Sequence, residues 1–134
     1  MKKVLTIDDE PYVARLLRTV LKEAWGEDVD LDWAADGGIG KVKAATGDYD
    51  LITLDIGMPL MGGLEALAEI KRNPRSAQTP VVVITGLDDP ALPRQAHSLG
   101  AAGFVRKPFS VEELKRIIHD IALLYRPRAG PEKT

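Results

Sequence analysis

The chain has 134 residues, of which 45% are hydrophobic and 28% are charged, and it contains no cysteine. This composition predicts one globular domain with its own core, and it excludes disulfides, thiol nucleophiles and thiolate metal sites. A net charge of −2 without a visible basic face argues against direct nucleic-acid binding. No apolar run is long enough for a membrane span or a signal peptide, so we expect no membrane insertion and a cytoplasmic location.

The first third of the chain alternates between strand and helix patterns. Residues 3–7 form a short apolar run that predicts a strand, and Pro11 suits the first position of the helix that follows. Residues 29–33 alternate apolar and polar side chains, which is typical of an edge strand with one wet face. Residues 36–45 predict a second, weaker helix.

The middle of the chain contains the two most apolar strands. Residues 51–54 are a short apolar run that ends at Asp55, which predicts a buried parallel strand with a carboxylate at its carboxyl end. Pro59 and the glycines after it indicate a rigid loop before a helix over residues 64–71. Residues 81–85 form a β-branched run that predicts another buried strand.

The last third continues the alternation. A short helix is expected from about residue 93 to 99, because a proline at position 93 would interrupt a helix that began earlier. Residues 103–106 predict the final strand, and Ser110 with Glu113 forms the capping box of the last helix. Residues 126–134 are polar and contain two prolines, which indicates a flexible tail or the start of a linker.

The order of these elements predicts the fold class. Five strands and five helices in strict alternation, with short connections, predict an α/β domain: a doubly wound, five-stranded parallel sheet with helices on both faces. We expect this domain to cover residues 1–125.

Polar side chains follow four of the predicted strands at their carboxyl ends, which is where open α/β sheets bind ligands: Asp8, Asp9, Asp55, Thr85 and Lys107. Three converging carboxylates should raise at least one pKa unless a cation is bound. Ligand sets made only of oxygen suit Mg²⁺, which also accepts a phosphate oxygen. A hydroxyl and an ammonium opposite the acids would complete a pocket for a phosphoryl group.

In their order and spacing, these residues resemble the receiver domain of two-component response regulators. The resemblance runs from Lys3 to about Leu124, and it implies a CheY-like, flavodoxin-like fold with the strand order 2-1-3-4-5. The matching segments are residues 8–10, residues 55–59 with 62–63, Thr85 after residues 81–84, and residues 100–101 leading to 107–109.

The resemblance implies a role for each acid. Asp55 is expected to accept a phosphoryl group from a sensor histidine kinase or a phosphotransfer protein in a magnesium-dependent reaction. Asp9 would ligate Mg²⁺ directly and Asp8 mainly through water. Asp55 and the backbone carbonyl of Gly57 would complete the protein ligands.

The resemblance also implies a switch. Thr85 would donate its hydroxyl to a phosphoryl oxygen, Lys107 would pair with another, and Phe104 stands where the family keeps an aromatic switch residue. The peptide bond between Lys107 and Pro108 is expected to be cis. The face formed by the fourth helix, the last strand and the last helix would then change shape and control a downstream protein that the sequence does not identify.

Three other functions are compatible with parts of the pattern. A pseudo-receiver would have the same fold without accepting phosphate. A phosphohydrolase would use Asp55 as its nucleophile, but Gly57 stands where such an enzyme carries an acid. A flavin phosphate would be repelled by residues 8–10. We therefore expect a signalling module, which catalyses at most its own phosphorylation and dephosphorylation.

A few residues carry secondary expectations. Gly57 and Leu87 hold the two positions that tune phosphoryl lifetime in the family, and neither can orient an attacking water, so we expect slow dephosphorylation. Trp25 and Trp33 are interpreted as packing groups. His97 and His119 are interpreted as surface residues, since neither has a second ligand at metal spacing.

Overall fold

The computed structural model of the chain describes residues 2–57 and 62–124. These residues form five strands and five helices in strict alternation, as predicted. In chain order they are β1 (Lys2–Ile7), α1 (Pro11–Trp25), β2 (Val29–Ala34), α2 (Gly37–Thr46), β3 (Leu51–Leu54), α3 (Gly63–Arg72), β4 (Val81–Thr85), α4 (Leu92–Ser98), β5 (Gly103–Arg106) and α5 (Val111–Leu124).

The strands form one parallel sheet in the order β2-β1-β3-β4-β5, which confirms the predicted fold class. Strand β1 lies between β2 and β3, and Ile7 pairs with both Ala34 and Leu54. The carboxyl ends of these three strands are therefore level with one another. The position of β2 at the edge of the sheet is also confirmed.

Each face of the sheet has its own hydrophobic core, because successive side chains of a strand point to opposite faces. Helices α1 and α5 cover one face, where the buried residues include Val4, Leu51, Val82, Val105, Leu17 and Leu114. Helices α2, α3 and α4 cover the other, where they include Leu5, Ile52, Leu54, Val83, Leu67 and Ala96. Burial on both faces explains why β3 and β4 are predominantly apolar.

A polar network fastens the edge strand to its neighbours. The Tyr49 hydroxyl donates to Oδ2 of Asp32 at 2.7 Å, and Nζ of Lys43 donates to Oδ1 at 3.0 Å. Burial alone would raise the pKa of the Asp32 carboxyl, but these hydrogen bonds outweigh it and hold the pKa below its ordinary value. The network ties β2 to α2 and to the segment that leads into β3.

The helix starts follow the capping signals in the sequence. Helix α1 begins at Pro11, and Asp36 caps α2 by accepting a hydrogen bond from the Ile39 backbone N–H at 2.8 Å. Oγ of Ser110 accepts one from the Glu113 N–H at 3.0 Å, which confirms that half of the predicted capping box.

Helix α4 differs from its prediction by one residue at each end, since it runs over Leu92–Ser98 instead of about 93–99. Pro93 takes the second helical position, where the missing N–H has no intrahelical partner to lose.

Two predicted features lie outside the described residues: the loop residues 58–61, which include Pro59, and the tail over residues 126–134. Within the part of the chain that the structure describes, no helix is both long enough and apolar enough to cross a membrane.

Candidate functional site

The predicted phosphoacceptor, metal and catalytic residues, but not the switch residue Phe104, lie at one cleft at the carboxyl edge of the sheet. The cleft has a volume of about 310 Å³, and we call it the acidic cleft. Asp8 lies beside it, in contact with Lys107. The residues that line the cleft are Asp9, Glu10, Asp55, Gly57, Thr85, Gly86, Leu87 and Lys107.

Lys107 is the cation among the acids of the cleft. Its Nζ lies 3.0 Å from Oδ2 of Asp55, 3.1 Å from Oδ2 of Asp8 and 2.6 Å from Oε1 of Glu10. The side chain is only 9% exposed. Burial disfavours the ammonium form, but the hydrogen bonds to the three carboxylates outweigh it and raise the pKa of Lys107. The peptide bond between Lys107 and Pro108 is cis, as predicted.

Asp8 is the most deeply buried of the acids, with 1% of its surface exposed. Burial raises the pKa of its carboxyl from the ordinary 3.8 to about 6. A hydrogen bond from the Glu10 N–H and the nearby Lys107 oppose this rise, and the charge of Asp55 adds to it. The sequence predicted at least one raised pKa here. The main cause, however, is burial and not repulsion between carboxylates.

Asp55 follows directly on the last residue of β3 and is 6% exposed. Its Oδ1 accepts a hydrogen bond from the Gly57 N–H at 2.7 Å, and its Oδ2 faces Lys107 at 3.0 Å. Its own N–H donates to the Ile7 carbonyl at 2.9 Å. Contacts at the backbone and at both carboxylate oxygens thus fix the direction of this side chain.

Four carboxylates lie close enough to share one cation. Ligand oxygens of Asp8, Asp9, Glu10 and Asp55 all lie within 4.8 Å of one another. Oxygen donors without nitrogen or sulfur fit a hard divalent cation such as Mg²⁺. Glu10 was not among the predicted metal residues, although its place directly after two acids could have indicated it.

The predicted switch residues lie on one face of the sheet. Thr85 is fully buried, and its Oγ1 accepts a hydrogen bond from the Leu87 N–H at 3.2 Å. Phe104 pairs with Val83 in the ladder between β4 and β5. Its ring is partly buried against the core beneath α2, α3 and α4. Val83 and Thr85 point to the same face, so the Phe104 ring and the threonine lie on the same face of the sheet.

Trp33 is a functional candidate that the sequence analysis missed. Its interpretation as a packing group is wrong: the side chain is among the exposed large hydrophobic residues, and its Nε1–H donates to the Asp8 carbonyl oxygen at 2.8 Å. Its position near the carboxyl end of β2, beside β1, could have indicated the contact. Trp25 does pack against the core, and His97 and His119 are exposed, as expected.

A family model and several related proteins align with most of this chain. A family model described as response regulator receiver domain matches residues 4–119. Response regulator ArlR of Staphylococcus saprophyticus is 36% identical over 114 residues, which are 85% of this chain and 49% of that protein. Transcriptional activator protein IrlR of Burkholderia pseudomallei is 35% identical over 119 residues, which are 89% of this chain and 49% of that protein. The chain spans about half the length of these relatives, so our expectation of no direct nucleic-acid binding concerns the printed sequence alone.

Solved structures give the same result. Chemotaxis protein CheY4 of Vibrio cholerae has a TM-score of 0.77 and 28% identity, over 90% of this chain and 98% of that chain. The Mn²⁺-bound form of response regulator Rcp1 has a TM-score of 0.74 and 27% identity, over 98% of this chain and 99% of that chain. The fold, the convergence of acids with a lysine, and both sets of relatives agree: this chain belongs to the response regulator receiver domain family of two-component systems.

Proposed function

We propose that this chain accepts a phosphoryl group on Asp55 in a magnesium-dependent reaction, from a sensor histidine kinase or a phosphotransfer protein. Phosphorylation then changes the face formed by α4, β5 and α5 and so controls a downstream protein. The observation that carries the proposal is the setting of Asp55: its carboxylate lies 3.0 Å from Nζ of Lys107 and within the group of oxygens that could share one cation.

The carboxylates of Asp8, Asp9 and Asp55 and the carbonyl of Gly57 would hold Mg²⁺, with Glu10 at the edge of the same group. When bound, the ion supplies positive charge that neutralises the carboxylates and the phosphoryl oxygens. That charge also compensates for the burial that raises the pKa of Asp8. The metal in the Rcp1 structure, Mn²⁺, has the same ligand preferences.

The chain's own residues position the reacting groups. A carboxylate oxygen of Asp55 attacks phosphorus while the bond between phosphorus and the donor breaks, and the electron pair leaves with the donor. Phosphoryl transfer depends mostly on positioning and charge stabilisation, and two contacts on the Asp55 carboxylate provide the positioning. Lys107 supplies a point charge, which we expect to exchange its carboxylate partners for a phosphoryl oxygen.

The signal is the charge that the acyl phosphate adds, roughly −1.5 to −2. The Thr85 hydroxyl, which accepts a hydrogen bond from the Leu87 N–H, would donate a hydrogen bond to a phosphoryl oxygen and move toward it. A cavity of about 220 Å³ lies beside Phe104 and is lined by residues of α4, of β5 and of the segment between them, and we expect the ring to turn inward as Thr85 moves. Coupling of about 1–3 kcal/mol is enough to change the affinity for a partner by a factor of about 5 to 150.

The surroundings of Asp55 favour a long-lived phosphoryl group. A Cβ atom placed on Gly57 would lie 3.1 Å from Cγ of Leu87 and 3.3 Å from Oδ1 of Asp55. The Leu87 side chain therefore covers Gly57 close to the acceptor, and neither residue has a side-chain polar group that could orient an attacking water.

Trapping the acyl phosphate tests the proposal. The protein is incubated with acetyl phosphate, with or without Mg²⁺, and borohydride then reduces any aspartyl phosphate to homoserine. We expect homoserine at position 55, only in the presence of Mg²⁺. No conversion at any position would favour the pseudo-receiver alternative. Continuous release of phosphate from an aryl phosphate would favour the phosphohydrolase.

A further inference from the structure

Trp33 makes a hydrogen bond that the proposed function leaves unexplained. Its side chain is 40% exposed, and its Nε1–H donates to the Asp8 carbonyl oxygen at 2.8 Å. A ring this exposed gains less from burial than a core aromatic residue does. The indole N–H is the feature that separates tryptophan from phenylalanine at this position.

The hydrogen bond acts on the peptide that joins Asp8 to Asp9. The Asp8 N–H donates to the Ala34 carbonyl at 3.0 Å, and its Oδ1 accepts from the Glu10 N–H at 2.9 Å. The bond from Trp33 holds the carbonyl between these two contacts. Because a peptide unit is planar, fixing the direction of this carbonyl also fixes the direction in which the chain continues to Asp9.

Trp33 is itself held firmly. In the parallel ladder it pairs with Thr6, two residues before Asp8. Its backbone N–H donates to Oδ1 of Asp32 at 2.9 Å, and its carbonyl accepts a hydrogen bond from Nζ of Lys43 at 3.1 Å. The backbone that carries the indole is therefore fixed in the sheet by its ladder pairing and by two side-chain hydrogen bonds.

We propose that Trp33 is a positioning residue for the metal site. Its indole N–H orients the peptide between Asp8 and Asp9 so that both carboxylates face Asp55. The inference rests on the proposed function, since it concerns the same metal site. It adds the edge strand β2 to the elements that build that site.

Calorimetric titration with Mg²⁺ alone tests the inference on the full chain. Trp33→Phe keeps an aromatic ring and removes the N–H, so its Kd for Mg²⁺ should rise about fivefold. Because a tenfold change in Kd corresponds to about 1.4 kcal/mol, this is a loss of about 1 kcal/mol in binding free energy. Trp33→Leu also lacks the donor and should show the same change. In phosphorylation by acetyl phosphate, the Mg²⁺ concentration for half-maximal rate should rise by the same factor, with no change in the rate at saturating Mg²⁺.

Trp25→Phe is the matched control. Trp25 is the last residue of α1 and is partly buried against the core on that face of the sheet. Nζ of Lys2, at the start of β1 and so at the opposite end of that strand from Asp8, lies 5.7 Å from its ring centroid. This variant should bind Mg²⁺ with the affinity of the parent, within about twofold. Thermal unfolding in EDTA measures how much Trp33→Phe and Trp25→Phe change the stability of the fold itself, because no metal is bound there, and so separates a metal effect from general destabilisation.

The outcomes distinguish the inference from the proposed function. If both Trp33 variants bind Mg²⁺ as the parent does, the inference is wrong, while magnesium-dependent phosphorylation of the parent would leave the proposed function standing. Equal weakening in Trp25→Phe would also overturn the inference, because the effect would then be general. If the parent itself binds no Mg²⁺, the inference and the proposed function fail together.

Discussion

The buried carboxylate of Asp8 should destabilise the protein whenever no metal is bound. Burial raises its pKa to about 6, so above that pH the folded protein holds a charge that its surroundings disfavour. Replacing Asp8 by asparagine removes the charge and keeps nearly the same shape. We therefore predict that Asp8→Asn is more stable than the parent near neutral pH in EDTA, even though the substitution removes a proposed metal ligand.

The magnitude follows from the change in pKa. The difference between 3.8 and about 6 corresponds to a ceiling of about 3 kcal/mol. The carboxylate lies beside an open cleft, and the variant gives up the ion pair with Lys107, so we expect a gain of about 1–2 kcal/mol in the free energy of unfolding.

The sign of the pH dependence follows from proton binding. Between about pH 4 and pH 6 the folded parent binds more protons than the unfolded chain, so this carboxyl makes the parent more stable as the pH falls. The advantage of Asp8→Asn is therefore complete above about pH 6 and is lost toward pH 4.

Urea unfolding in EDTA at both ends of this pH window measures the effect. The control is Asp120→Asn, which removes an exposed carboxylate on α5 and should change stability little. Mg²⁺ should stabilise the parent and have much less effect on Asp8→Asn. The reasoning would be refuted if Asp8→Asn were no more stable than the parent near neutral pH, or if its advantage grew as the pH was lowered.

Three further predictions follow from packing and from the cleft. A Cβ on Gly63 would lie 2.1 Å and 2.3 Å from backbone atoms of the loop after β3, so Gly63→Ala should lower the free energy of unfolding in urea by about 3 kcal/mol or more. A Cβ on Gly62 would lie 3.6 Å from its nearest neighbour, so Gly62→Ala should lower it by less than about 1 kcal/mol. Oγ1 of Thr53 donates to buried Oγ1 of Thr6 at 2.7 Å, so each single valine variant should cost about 1–2 kcal/mol and the double variant little more; additive costs in a double-mutant cycle would contradict this. The phosphorylated chain should lose its phosphoryl group slowly, and Leu87→Asn should speed the loss, as mass spectrometry over time can measure; a half-life of seconds for the parent would contradict the account.

Local pattern was sufficient to predict the strands, the helices and the fold class, whereas the strand order was implied only by the family resemblance. The buried strands β3 and β4 are short β-branched or apolar runs with turn residues behind them, and Pro11, Asp36 and Ser110 mark helix starts by local chemistry. The meeting of Asp55, Thr85 and Lys107 then follows from the rule that parallel strands end at the same edge.

Contacts that depend on register could not be predicted in the same way. The indole of Trp33 reaches the Asp8 carbonyl because the ladder pairs Trp33 with Thr6, and no local pattern encodes that pairing. Similarly, Lys107 reaches Glu10 across 97 positions of the chain. Trp33 and Glu10, whose places in the site were not predicted, therefore contact partners that only the assembled sheet brings close.

The most direct test of the central claim is the intact mass of the protein after incubation with acetyl phosphate, with and without Mg²⁺, for the parent and for Asp55→Asn. The account predicts that the parent gains the mass of one phosphoryl group only when Mg²⁺ is present, and that Asp55→Asn gains none. An unchanged mass of the parent under every condition, or an equal gain in Asp55→Asn, would contradict it.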